Sequence, residues 1–257
     1  MSDKKQKITR ICGYDEDRIL IRGKDLVDDL MGKLGFTEMM LFHLLGEKPS
    51  DLQTTIADAV LVTIMEHGLV PSAVVSRLTL LGAPESFQGA VAAGLLGVGD
   101  RYAGTASECA KILEEITKAD GKDRTECARR FIRDYRSRKQ PLPGFGHPIH
   151  RGGDPRVPRL IEIARSAGVK GDYIEAMYLL ERCLEEELGK SLPVNISAAI
   201  AAVLAEAGLP ARAFRGLVLT ARCAGLAGHL LEETENPVGD ELWKGAESAV
   251  RYEKDGK

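Results

Sequence analysis

The sequence lacks the features that define several classes of protein. Its longest apolar runs, near Ala59–Met65 and Ile196–Leu204, are too short to cross a bilayer. Its 35 lysines and arginines nearly balance its 38 aspartates and glutamates, so its charge does not favour binding to nucleic acid or to an anionic membrane. Its 5 cysteines are odd in number and include no Cys-x-x-Cys pair, which favours reduced thiols over disulfides. The N-terminal residues lack the apolar segment of a secretory signal, and we therefore expect a cytoplasmic protein.

Patterns typical of β-strands are also scarce. The best candidate is Lys7–Ile21, which predicts a small hairpin. Elsewhere apolar residues recur at helical spacing between turns that are rich in glycine and proline. The sequence therefore predicts an all-α fold of about ten or more helices. The clearest predicted helices are Ile56–Ile64, Gly89–Leu96, Glu108–Ile116, Asp123–Tyr135, Val157–Ala167, Tyr173–Leu188, Ile196–Glu206 and Ala213–Glu233.

One loop, Pro143–Arg156, combines residues that suit the binding of a small acid. Gly144 and Gly146 permit backbone angles that other residues resist and allow a ligand to approach closely. His147 can donate or accept a hydrogen bond, or carry a proton, near neutral pH. Arg156 can bind a carboxylate through two parallel hydrogen bonds. Together these groups indicate a site for a keto- or hydroxy-acid.

Three further segments accompany this loop along the chain. They are Glu66-His67-Gly68 with Pro71, Ser72 and Arg77, then Ala90–Gly104, and finally Arg222–His229 with the spacing Arg-x2-Gly-x3-His. With the Gly-Phe-Gly-His and Asp-Pro-Arg of the loop, they resemble the citrate synthase superfamily over nearly the whole chain. Citrate synthases have a histidine where this chain has Tyr102, and lyase-type relatives have a phenylalanine there. In Tyr102 and in its short length, the chain therefore resembles the citryl-CoA lyase-like branch of the superfamily. This branch includes the C-terminal citrate synthase-like part of ATP-citrate lyase.

The resemblance implies a citrate synthase-like fold made of two helical domains. Residues 1–106 and 205–257 would form the large domain, and residues 107–204 the small one. The site would lie in the cleft between them, where domain closure excludes water. Members of the family are dimers, so the resemblance also implies a homodimer or a higher homo-oligomer.

The resemblance also implies a chemistry, namely cleavage or formation of the bond between an acetyl-CoA unit and a keto acid such as oxaloacetate. His147 would act at the keto or hydroxyl oxygen of the substrate. His67, Arg156 and Arg222 would bind the substrate acid. Backbone groups of Pro143, Gly144, Phe145 and Gly146 would bind coenzyme A. Coenzyme A is then part of a substrate, and we expect no bound cofactor and no metal.

One departure from the family pattern lies at Ser197. The family places a catalytic aspartate in an Asn-Val-Asp motif before an alanine-rich helix, and alignment on that helix puts Ser197 at the aspartate position. A serine hydroxyl cannot serve as an unassisted base at neutral pH, whereas a carboxylate can. His150 and His229 are the nearest other candidates for a base. Three functions therefore remain open: a citryl-CoA lyase-like enzyme, a citrate synthase-type acyltransferase, or a non-catalytic homologue that binds coenzyme A or a carboxylate.

Several of these residues also have ordinary structural interpretations. His67 can be a helix cap, and Ser197 the N-cap of the helix that follows it. Arg156 can cap a helix or pair with Glu162. Arg222 can be a surface residue of an amphipathic helix.

Overall fold

The computed structural model describes residues 7–99, 104–146 and 152–253, and these residues form the predicted all-α fold. A small antiparallel sheet at the N-terminal end, in the order β1-β2-β3, confirms the predicted hairpin and adds a third strand. The described strands and helices are β1 (Cys12–Tyr14), β2 (Ile19–Ile21), β3 (Lys24–Asp25), a π-helical turn (Leu26–Leu30), α1 (Phe36–Leu45), α2 (Asp51–Met65), α3 (Pro71–Gly82), α4 (Phe87–Leu96), α5 (Thr105–Lys118), α6 (Asp123–Ser137), α7 (Arg156–Ser166), α8 (Asp172–Leu188), α9 (Ile196–Glu206), α10 (Ala211–Glu235) and α11 (Gly239–Ala249).

The eight helices predicted from apolar spacing are all present, and α9 has the predicted bounds. Local signals explain where several begin. Ser50 and Gln53 form a capping box at the start of α2, and Pro71 occupies the first position of α3, where its missing N–H costs nothing. Apolar spacing did not predict α1, α3 and α11. The first of these is apolar on nearly every side, so its sequence has no periodic pattern.

Helix α9 lies at the centre of the main core. Every residue from Ala198 to Leu204 is buried, and only a helix surrounded by other helices can be apolar on all sides in this way. Helices α2, α5, α7 and α8 pack around it. The same apolar cluster contains Leu41 and Leu217 as well as Cys109 and Leu180, so it includes residues from both predicted domain segments. The division into domains at these boundaries stays a prediction.

Helix α10 approaches two neighbouring helices closely because small residues line its path. A Cβ atom at Gly225 would lie 2.1 Å from the carbonyl oxygen of Met65, at the end of α2. On α4, a Cβ at Gly94 would lie 2.8 Å from a methyl group of Leu226 on α10. This packing brings the second half of α10 against the loop that joins α2 to α3. None of the helices in the described part of the chain is long and apolar enough to span a membrane.

The close approach at Gly225 predicts a sharp contrast between two glycines of α10. We expect Gly225→Ala to lower the free energy of unfolding by about 1–3 kcal/mol or more, because the new methyl group displaces the backbone of Met65. Gly228 is exposed and a Cβ there would meet nothing within 4 Å. Gly228→Ala should therefore stabilise the helix by up to about 1 kcal/mol. Denaturant unfolding of both variants measures the difference, and equal effects would contradict the packing described.

Candidate active site

Arg222 on α10 is a buried cation that faces the end of α2. Its side chain donates to the carbonyl oxygens of Met65 (2.9 Å) and Ile64 (3.4 Å) and to the hydroxyl of Ser72 (3.4 Å). It is 7% exposed, so the interpretation as a surface residue of an amphipathic helix is wrong. Within the described ranges it forms no ion pair with a carboxylate. Burial lowers the pKa of Arg222, and the charge of nearby Glu66 offsets part of that effect.

His67 lies in the loop between α2 and α3, two residues after Met65. The carboxylate of Glu66 accepts the backbone N–H groups of His67 (2.7 Å) and Gly68 (2.6 Å) and so closes a tight turn. Gly68 has a φ of 71°, which suits glycine. Since Arg222 binds the carbonyl of Met65 at the start of this loop, the fold brings two predicted substrate-binding residues, His67 and Arg222, into the same region.

A group of charged residues is centred on the buried pair of Arg77 and Glu233, and its arrangement was not predicted. Arg77 on α3 is 2% exposed and pairs with Glu233 (2.6 Å) and Glu232. Its Nε and Nη2 also donate to Nδ1 of His229 (3.1 and 2.9 Å). The opposite nitrogen of the imidazole, Nε2, lies 2.9 Å from Oε2 of Glu66, although the alignment falls outside that of a regular hydrogen bond. The helical spacing of His229 and Glu233 after Arg222, on one face of α10, is the signal that could have indicated this group.

The predicted coenzyme A loop is held on the segment that leads into α9. Gly146 N–H donates to Pro193 (2.8 Å), and Asn195 N–H donates to Gly144 (2.9 Å), so Phe145 and Val194 pair as in an antiparallel sheet. The side-chain amide of Asn195 donates to the carbonyl of Gly146 (2.8 Å). A Cβ at position 144 would lie 2.6 Å from that of Ala198, and φ there is 93°, so only glycine fits.

Ser197 lies beside this loop, on the first turn of α9. Asn195 is the N-cap, and its side-chain oxygen accepts the N–H of Ser197 (2.9 Å), so the interpretation of Ser197 as the N-cap is wrong. The Ser197 hydroxyl accepts a hydrogen bond from Thr105 Oγ1 (3.0 Å) at the start of α5. Thr105 lies 92 residues away in the sequence, and no local pattern indicated this contact. His147, the predicted catalytic histidine, follows Gly146 directly but lies outside the described residues, as do Tyr102 and His150.

A buried cysteine, Cys109, lies next to Gly144 of this loop. Burial raises the pKa of the Cys109 thiol to about 12, so this cysteine, which would be 3.0 Å from a Cβ at Gly144, stays protonated at neutral pH. In the ranges that the structure describes, no group of three or more His, Cys, Asp or Glu side chains is arranged to hold a metal ion.

Arg156 begins α7 and forms a two-point contact with Asp154. Its Nε and Nη2 donate to the two carboxylate oxygens at 2.9 and 2.7 Å. The suggested pairing with Glu162 is wrong, because Glu162 pairs with Arg159 instead. Since Asp154 occupies one edge of the guanidinium, only the opposite edge could bind a substrate carboxylate. Within the described residues, Arg156 forms no hydrogen bond with Ser197.

The comparisons with solved structures identify proteins of similar fold. A citryl-CoA lyase from Hydrogenobacter thermophilus is 29% identical and superposes with a TM-score of 0.83, covering 98% of this chain and 96% of its own. An ATP citrate lyase of Methanosaeta concilii in complex with (3S)-citryl-CoA is 20% identical, with a TM-score of 0.80 over all of this chain and 43% of its own, and this likeness shows the fold alone.

The sequence comparisons agree with this result. Citrate synthase 2 of Bacillus subtilis is 27% identical over 205 residues, which cover 79% of this chain and 53% of the relative. The chain thus spans about half the length of the curated relatives it matches. The family model "Citrate synthase, C-terminal domain" matches residues 7–244. Since this match covers nearly all of the chain, it confirms the resemblance predicted from the motifs, and the chain belongs to the citrate synthase family.

Proposed function

We propose that this protein is a citryl-CoA lyase-like enzyme, which cleaves or forms the bond between an acetyl-CoA unit and a keto acid such as oxaloacetate. The observation that carries the proposal is the match to a citryl-CoA lyase over almost the full length of both chains. Citrate synthases match this chain over only about half of their own length. The lyase is thus matched over nearly all of its own length, and this fuller match supports the lyase assignment.

The state of Arg222 supports a site for a substrate carboxylate. A buried charge is normally paired, because moving it out of water costs several kcal/mol that a partner of opposite charge must offset. Arg222 has only carbonyl and hydroxyl acceptors among the described residues. In the proposal, one carboxylate of oxaloacetate or of the citryl group completes its coordination. His67, on the adjacent loop, binds the same acid.

The segment Pro143–Gly146 supports the second half of the proposal. Its hydrogen bonds to Pro193 and Asn195 hold it rigidly at the start of α9. In the proposal, His147 donates to the keto oxygen, where negative charge develops in the transition state. A donor that is already fixed in place lowers the activation barrier most. The segment Pro143–Gly146 would contact coenzyme A, and the free edge of Arg156 would bind a second carboxylate.

The hydroxyl at Ser197 favours one alternative function. The enolate of acetyl-CoA needs a base or an acid, and Ser197, bound to Thr105, is not a carboxylate. The missing carboxylate by itself favours a homologue that binds coenzyme A and a carboxylate without rapid turnover over both the lyase and the citrate synthase-type acyltransferase.

The proposal includes an assembly and a location. We propose a homodimer or a higher homo-oligomer, supported by large apolar side chains that lie exposed on the mutually packed helices α3, α4 and α10, among them Leu81, Leu96 and Leu231.

We also propose a cytoplasmic location, which is supported by the five cysteines, because all of them are free thiols.

The proposed reaction predicts which products appear. Incubation with citryl-CoA should release oxaloacetate and acetyl-CoA without free thiol, because cleavage of the carbon–carbon bond leaves the thioester intact. A citrate synthase-type reaction would instead release free thiol from acetyl-CoA plus oxaloacetate. Following oxaloacetate and thiol together separates the two. If calorimetry detects no binding of coenzyme A or acetyl-CoA, with or without oxaloacetate, every hypothesis in which this protein binds coenzyme A is wrong.

The two buried arginines should respond differently to the same substitution. Arg77→Met leaves the buried carboxylate of Glu233 without its cation and should cost about 3–5 kcal/mol of stability. Arg222→Met leaves no buried carboxylate and should cost only about 1–3 kcal/mol, for the unpaired carbonyl of Met65. It should nevertheless weaken oxaloacetate binding by about 10- to 100-fold, the value of a hydrogen bond between charged groups. Denaturant unfolding and calorimetric titration measure both effects. Unchanged affinity in Arg222→Met would remove Arg222 from the site.

A carboxylate at position 197 should restore proton transfer. Thr105 can donate to it as it donates to the serine, which favours the ionised form in this half-buried position. We expect Ser197→Asp to speed deuterium exchange at the methyl group of acetyl-CoA by about a hundredfold or more. Thr105→Val should reduce that gain in the Ser197→Asp background and have little effect in the parent. A folded Ser197→Asp variant with unchanged exchange would show that Ser197 does not occupy the position of the base.

A further inference from the structure

Glu66 is the residue that shapes the turn around His67. One of its carboxylate oxygens accepts two successive backbone N–H groups, those of His67 and Gly68, at 2.7 and 2.6 Å. Such charge-assisted bonds are roughly twice as strong as neutral ones. Partial burial opposes ionisation of Glu66, but its contacts with His229 and with these N–H groups outweigh it and lower the pKa of the carboxyl. The turn is therefore held by an ionised side chain from within the loop itself.

His229 approaches the other oxygen of that carboxylate in one defined tautomer. Its Nδ1 accepts hydrogen bonds from Arg77, so Nδ1 carries no proton and the proton of the neutral ring sits on Nε2. Nε2 is buried and lies 2.9 Å from Oε2 of Glu66. Arg77 in turn is fixed by its ion pairs with Glu233 and Glu232 on α10. The orientation of Glu66 is thus set by a sequence of contacts that begins at a buried guanidinium.

We propose that Glu66 and His229 are positioning residues, which hold the His67 loop in the conformation that binds the substrate acid. The role of His67 itself rests on the proposed function. Glu66 and His229 need not contact substrate, because they act through the backbone of His67 and Gly68. A displacement of about 1 Å in a binding group is enough to cost about a hundredfold in rate, so a rigid support for this loop has a direct functional effect.

Two substitutions interrupt these contacts without removing Arg77 from its ion pairs. In Glu66→Gln, the amide oxygen can still accept the two backbone N–H groups. The amide NH2 then faces the Nε2–H of His229, so two donors meet. His229 cannot relieve this by changing tautomer, because its Nδ1 must accept from Arg77. In His229→Asn, the shorter side chain can offer its oxygen to Arg77 but no longer reaches Glu66. Glu232→Gln is the matched control, since it alters an exposed partner of Arg77 that does not contact the loop.

The first measurement is made without ligand. Hydrogen exchange of the amides of His67 and Gly68 should rise by about tenfold or more in Glu66→Gln and His229→Asn, with the exchange of α9 amides unchanged. Glu232→Gln should exchange like the parent at the loop. Exchange at the loop that stays at the parental rate in both test variants overturns the proposal, whatever the protein binds.

The second measurement asks whether Glu66 acts through His67. Glu66→Gln should weaken oxaloacetate binding by about tenfold in the parent but by less than about twofold when His67→Ala is already present, as a double-mutant cycle detects. A general loss of structure would weaken binding equally in both backgrounds, and that result overturns the proposal. If the parent and His67→Ala bind oxaloacetate equally tightly, His67 does not bind the substrate acid, and the positioning role of Glu66 and His229 in substrate binding is also wrong. If hydrogen exchange at the loop still rises in Glu66→Gln and His229→Asn, the error lies in the role of His67 and not in the contacts of Glu66.

Discussion

The close approach of α10 to the end of α2 is the contact on which the candidate site depends. Gly225 lies under the carbonyl oxygen of Met65, where no side chain fits. One turn earlier Arg222 donates to the same carbonyl, and one turn later His229 reaches Glu66. Three successive turns of one helix thus hold the end of another. The loop with His67 leaves from this point, so its position follows from the packing of two helices.

The two buried arginines, Arg77 and Arg222, differ in how their charges are compensated. Arg77 pairs with Glu233 and Glu232, whose contacts with it raise its pKa against the opposing effect of burial. The pKa of Arg222 is lowered by burial, and no carboxylate from the described residues pairs with it. The first arginine therefore joins α3 to α10, whereas the second keeps the capacity to bind an anion. Arg77 therefore has a structural role, and Arg222 is the arginine that we propose binds a carboxylate.

The other part of the candidate site is fixed by backbone pairing. Gly144 and Gly146 exchange hydrogen bonds with the segment before α9, and Asn195 joins that segment to the first turn of the helix. The alanines of α9 allow this loop to lie directly against the helix, as the 2.6 Å approach at Ala198 demonstrates. Ser197 contacts Thr105 beside this backbone pairing. Whether position 197 can transfer a proton therefore depends on its side chain and not on the backbone around it.

The sequence by itself determined eight of the described helices, the N-terminal hairpin and the family, because these depend on local periodicity, on capping residues and on short motifs. The sequence also predicted three residues that would bind the substrate acid, namely His67, Arg156 and Arg222. Only the tertiary structure decided which side chains meet. Asn195 and not Ser197 caps α9, Arg156 binds Asp154 and not Glu162, and Arg222 is buried. The contact between Arg77 and His229 joins residues 152 positions apart. The contacts of Arg77 and Arg222 arise from the packing of α10 against α2 and α3, and no pattern confined to one helix contains that information.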